Sequence, residues 1–235
     1  MLKEFFHKEI AYQVAGINPS TCPFRTCLLS CLFFLFSAGI VAQTVDANAL
    51  LEKTSCIIEA WEGVDVQFTL HVYSEKSSLA ESFEGLLQMK KNKFVLTTPD
   101  LKVWFDGATQ WAYNPHSDEV FISTPSGDDL QVLNPMLLLK DYKKDFKATM
   151  TGESVTANAK AAYQVELTPK KKDVFEKIEM SIEKNSFLPV KIDLTLRNRL
   201  RNTIMIQELK PSVPSDAMFS FPKASFPNAE IIDLR

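Results

Sequence analysis

The side chains of this 235-residue chain that could carry out covalent chemistry are few and scattered. Nucleophilic hydrolysis needs a placed Ser or Cys with a His base. Beyond the first 42 residues the only histidines are His71 and His116, and no G-x-S-x-G elbow occurs. Neither histidine has a second ligand at metal spacing, so both read as solvated strand or turn residues. Phosphate-cradling glycine loops of the G-x-G-x-x-G or Walker type are absent. Cys56 falls within a helical pattern and is expected on its apolar face, in a structural role. Asp128-Asp129 reads as a plain turn, and Lys170, Lys171 and Lys172 as a solvated basic turn. Paired carboxylates for glycoside hydrolysis depend on spatial pairing and stay open. The expectation is a protein without catalytic residues, metal or cofactor.

Charge excludes a further class. The formal net charge is -3, and no basic stripe with interleaved aromatics is present, so nucleic acid is not an expected partner. With the chemistry this sparse, the elements themselves become the informative feature.

Residues 1-42 read as a leader. Cys27 to Val41 is an apolar run preceded by Arg25 and followed by Ala42-Gln43, the layout of a secretory signal. At about fifteen residues it is shorter than the roughly 20 that a spanning helix needs, so cleavage is favoured over a retained anchor. Leu28-Leu29-Ser30-Cys31 resembles a lipoprotein cleavage box, but a mostly apolar stretch follows Cys31. Cys22, Cys27 and Cys31 go with the leader, leaving Cys56 alone and no intramolecular disulfide.

Residues 43-235 read as one domain. Asp46 can cap a helix reaching about Trp61, with Ala47, Leu50, Leu51, Thr54, Ile57, Ile58 and Trp61 at spacings of three and four. Val64 to Val72 alternates apolar and polar residues, a half-buried strand. Phe83 to Pro125 is a meander broken at Lys90 to Lys93, at Pro99-Asp100, at the hairpin signal Asp106-Gly107 and at Asn114-Pro115. Asn134-Pro135 starts a short helix whose Met136 to Leu139 run should be buried on more than one side. Strands resume from Phe146 to Leu209, and the proline-rich tail from Pro211 reads as an extended segment along the sheet edge. The fold class is α+β: a curved antiparallel sheet of about ten or eleven strands with two or three helices.

The middle of the chain resembles a known family. Gly85, Leu87, Met89 and Lys90, then a basic turn, Phe94, Pro99, and Asp106, Gly107, Trp111, Tyr113, Asn114, Pro115, Glu119 and Val120 follow the order seen in the periplasmic outer-membrane lipoprotein carriers, the LolA-like family. Asp216 to Phe221 resembles the D-x-x-F-x-F near that family's end. The resemblance implies an incomplete β-barrel covered by lid helices, and a periplasmic chaperone that carries lipoprotein acyl chains from inner to outer membrane. The implied partners are acylated lipoproteins, an inner-membrane lipoprotein-releasing ABC transporter and an outer-membrane acceptor, with the carrier itself a monomer. A non-enzymatic lipid sensor or regulator of the same architecture is the alternative.

Candidate lipid-binding residues are Val66, Phe68, Leu70, Leu87, Met89, Phe94, Leu96, Trp104, Trp111, Tyr113, Met136 and Leu137. Large and adaptable side chains suit irregular apolar ligands, although ordinary core packing explains such a list as well. Phe94 matches the family's aromatic after the basic turn, and Met136 and Leu137 its lid helix. Where that family often has an Arg that holds the lid shut, this chain has Lys91, a point charge without a planar fork, or Asn92 if the gap is placed differently.

Overall fold

The computed structural model describes residues 45-74, 78-125, 127-156 and 159-235. The leader expected over residues 1-42, with its three cysteines, lies outside them. Helix α1, Ala47–Glu59, begins where Asp46 accepts a 2.9 Å bond from the Ala49 amide, a side-chain cap on an otherwise orphaned donor. Ala47, Leu50, Leu51, Thr54 and Ile58 form its buried stripe.

The chain then builds one sheet. Its strands are β1 (Gly63–Tyr73), β2 (Leu79–Lys90), β3 (Lys93–Thr97), β4 (Lys102–Phe105), β5 (Gln110–Asn114) and β6 (Glu119–Ser123). After the lid come β7 (Phe146–Val155), β8 (Ala161–Pro169), β9 (Phe175–Glu183), β10 (Pro189–Leu196), β11 (Arg201–Ser212) and β12 (Glu230–Asp233). The order across the sheet is β12-β6-β5-β4-β3-β2-β1-β11-β10-β9-β8-β7, so β7 and β12 are free edges and the barrel does not close. Every pairing is antiparallel except that of β12 on β6, which is parallel. The twelfth strand, one more than the upper count expected, is that tail segment.

Two local expectations are corrected. Asp128-Asp129 is no turn: both fall in α2, which runs Gly127–Leu133. Leu130 and Leu133, three apart, pack on the core. Cys56 is exposed, because a position two residues beyond the buried Thr54 is rotated about 200° away from it.

Asn134 follows, its Oδ1 accepting from the Met136 amide at 3.1 Å and capping a 3-10 turn, Pro135–Leu137, that leads into α3, Leu138–Asp145. The core lies between the concave face of the sheet and these helices: Leu51, Leu138, Phe146, Phe175, Ile178 and Met180 are almost completely buried. On that face Phe68 lies directly opposite Gly85. A Cβ built on Gly85 would stand 2.3 Å from Phe68 Cζ, so the glycine makes the bed for the ring. Gly85→Val is expected to lose about 1–3 kcal/mol, the usual cost of overpacking, read as a lower unfolding midpoint with an unchanged denaturant slope.

Candidate functional site

The site is a set of apolar side chains on the concave face beneath the lid. Val66 and Phe68 from β1, Leu87 from β2 and Leu96 from β3 meet Leu133, Pro135 and Met136 from the lid, and Ile192, Ile204 and Ile206 from β10 and β11, around a slit of about 40 Å³. That is close to one water's share of liquid volume, ~30 Å³. As it stands the slit is filled by the protein itself.

Met136 also belongs to a second space. A cleft of about 540 Å³ opens between the end of α1, the start of β1, the β2–β3 turn and the lid, with Trp61, Val64, Met89, Met136, Leu137 and Leu139 supplying apolar walls. Its rim is charged, with Glu59, Glu62, Lys91 and Lys140. Cleft and slit thus share one lining residue, a flexible side chain on a short 3-10 turn. The cleft has the volume typical of small-molecule sites.

The residues singled out in the sequence divide into four groups. Val66, Phe68, Leu87, Leu96 and Met136 line the slit; Met89 and Leu137 line the cleft. Phe94, fully buried against Phe105 at 5.5 Å, and Leu70 belong to the same core without lining either space. Trp104, Trp111 and Tyr113 are not with them. They sit on the opposite face of the sheet, in a separate cluster with Val95, Phe219, Phe221 and Phe226.

The register explains the separation. Phe105 pairs with Gln110 and Trp104 with Trp111, because Asp106 to Thr109 closes as a hairpin with Gly107 at φ 102°. Asp106 Oδ1 accepts from the Ala108 and Thr109 amides at 2.9 and 2.8 Å. An even-length loop reverses odd-even parity between the strands. Ala112, not Trp111 or Tyr113, therefore faces the core beside Val103.

Lys91 stands on the cleft rim without a bond to the lid among the described residues. It occupies the β2–β3 turn at φ 57°, and among the described residues its side chain makes no hydrogen bond or ion pair. The lid is tied down from α1 instead: Tyr142 Oη donates to Asn48 Oδ1 at 3.1 Å, and Lys143 pairs with Glu52. Burial raises the Tyr142 pKa above its ordinary value, which keeps the hydroxyl a donor. Beneath the lid the buried Asn134 directs its amide nitrogen at Met89 Sδ, 4.0 Å away.

The slit residues that the sequence reading missed, Leu133, Pro135, Ile192, Ile204 and Ile206, carried a signal only in part. Ile192 alternates visibly with the polar Lys191 and Asp193, whereas Met205 interrupts the alternation between Ile204 and Ile206. Nothing local told that β11 lies beside β1 rather than at an edge.

Outside the concave face the described residues offer little chemistry. His71 Nδ1 lies 2.9 Å from Ser82 Oγ on the solvent face of β1 and β2. His116 and Asp100 pair at 2.6 Å across two exposed turns. No group of three potential metal ligands occurs among the described residues, and none of their helices is long and apolar enough to cross a membrane.

An open half-barrel with a self-filled apolar slit under a short helical lid accords with the sequence comparison. The model of the outer membrane lipoprotein carrier protein LolA matches residues 38-198, and the chain belongs to that family. No curated protein matches the sequence. Among solved structures, an uncharacterized conserved protein from Thermus thermophilus aligns with TM-score 0.54 at 11% identity, over 80% of this chain and 98% of its own. A LolA superfamily protein from Nitrosomonas europaea aligns with TM-score 0.43 at 14% identity, over 75% and 98%. The lipoprotein LppX of Mycobacterium tuberculosis aligns with TM-score 0.43 at 13% identity, over 72% and 97%.

Proposed function

We propose that this protein is a periplasmic carrier that takes lipoprotein acyl chains from an inner-membrane lipoprotein-releasing ABC transporter to an outer-membrane acceptor, without covalent chemistry. The observation that carries the reading is that one lid side chain, Met136, lines both the cleft and the apolar slit. Each buried CH₂ is worth about 0.8 kcal/mol, so an acyl chain crosses water only inside a cover. A slit of about 40 Å³ cannot hold one until the lid leaves, and the lid's own apolar residues are then exchanged for the ligand's. Binding is weakened by the burial the lid gives up, which is what permits release.

Val66, Phe68, Leu87 and Leu96, with Met89 and Phe94 behind them, form the concave wall in this reading, and Met136 and Leu137 the displaceable cover. The leader expected over residues 1-42 would deliver the domain, residues 43-235, to the periplasm.

The test is native mass spectrometry of the mature protein with a synthetic triacylated lipopeptide. A one-to-one complex is expected. Ile204 is half-buried and lines the slit, so Ile204→Trp should fill the slit while leaving the fold intact. It should lower lipopeptide affinity by about tenfold or more, ~1.4 kcal/mol. Undiminished binding by the folded variant, or no complex with the parent protein, would sink the carrier reading; a complex with diacyl phospholipid alone would favour a lipid sensor.

A further inference from the structure

The sequence reading treats Lys170 to Lys172 as a solvated turn, but the fold does not leave those residues alone. The Lys170 amide donates to the Asp145 carbonyl at 2.8 Å and its Nζ to the Lys143 carbonyl at 2.5 Å. This sets the β8–β9 loop against the end of α3 and the start of β7. On the other side the Arg197 amide donates to the Val174 carbonyl at 3.1 Å, and Arg197 Nε to the Asp173 carbonyl at 2.6 Å, which adds the β10–β11 turn. Three segments distant in sequence, 143-147, 170-174 and 197-200, thereby form one surface.

That surface is strongly basic. The three segments hold eight cations and two carboxylates, a charge of +6, on a chain whose total is -3, which leaves -9 on all the rest. Among the described residues, Lys143 with Glu52 is the only ion pair any of the eight makes. Val174 and Leu200 stand exposed beside the cations, each one residue before a strand.

We propose that this end of the half-barrel is a docking surface for an anionic phospholipid bilayer. Six of the eight cations are lysines, point charges on flexible stems that need no matching fork geometry. A bilayer of anionic headgroups accepts such charges at any register, and Val174 and Leu200 can enter its interfacial layer. Against the net negative charge of the rest of the chain, this patch is the part that an anionic surface attracts.

Co-sedimentation of the mature protein with vesicles decides the matter. At low salt it should pellet with vesicles of phosphatidylglycerol and phosphatidylcholine, not with phosphatidylcholine alone, and added salt should release it. Replacing both Lys171→Glu and Lys172→Glu, two exposed loop positions, should weaken binding by about tenfold or more. The charge-matched pair Lys210→Glu and Lys223→Glu should weaken it far less, and circular dichroism melts confirm that both variants fold. No pelleting with anionic vesicles at low salt overturns the proposal and leaves the patch to an acidic protein surface; equal binding to neutral vesicles, or equal loss in the two variants, also overturns it. Ile204→Trp should pellet like the parent, so this result stands apart from the carrier reading.

Discussion

Met136→Ala is expected to make the empty protein less stable and the loaded protein easier to form. Met136 is 6% exposed, and truncating a buried methionine costs about 2–5 kcal/mol through lost burial and the cavity left behind. In a protein of this size that lowers the melting temperature by about 2–4 °C per kcal/mol. If the slit is the lipid site, the same side chain is what an acyl chain must displace. Its removal takes away a competitor, so affinity for a triacylated lipopeptide should rise, by about tenfold for each 1.4 kcal/mol of lid burial no longer surrendered. Differential scanning calorimetry and lipopeptide titration of the same preparation read the two quantities. Loss of affinity in step with stability would make Met136 a ligand contact and not a lid residue. Loss of stability with affinity unchanged would move the acyl chains out of the slit.

The parts of this arrangement that could be read from the sequence are those set by local periodicity. Asp46 before an i, i+3, i+4 stripe announced α1, and strict alternation from Val64 to Val72 announced β1. Asn134-Pro135 announced the start of the lid. Parity across a turn was harder. Trp111 and Tyr113 belong to an alternating strand as expected, but the face they occupy follows from the loop length between Phe105 and Gln110. Counting that loop as two residues between Asp106 and Thr109 would have turned both rings outward. Partners distant in sequence were not legible at all. Ile192, Ile204 and Ile206 enter the slit because β11 crosses to pair with β1, and the basic surface exists because three turns are gathered at one end of neighbouring strands. The bond that ties the lid was not legible for a similar reason: Tyr142 and Asn48 are 94 residues apart.

The division of the sheet into two faces yields the second large effect. Trp104 is 3% exposed and packs edge-on against Phe221 at 5.4 Å and Phe226 at 5.7 Å. It holds the tail against β3 to β5, and Asp216 also meets Lys93 of β3 at 3.3 Å and Lys90 of β2 at 3.8 Å. These lysines keep the Asp216 carboxyl below its usual range. Trp104→Ala should therefore cost about 3–5 kcal/mol and loosen the tail, seen as faster amide exchange from Phe219 to Asp233. Lipopeptide affinity, measured well below the melting transition, should stay within about twofold of the parent value, since no atom of the slit is removed. Leu96→Ala is the matching control. Leu96 pairs with Val103, one position from the Val95–Trp104 pair, but points to the concave face and lines the slit. It should cost about 2–5 kcal/mol and change lipopeptide affinity as well. Two neighbouring substitutions of similar cost, one silent in binding and one not, would assign the ligand to the concave face. Equal effects on binding would mean that the aromatic cluster under the tail takes part in it, and that the two faces of the sheet are not independent.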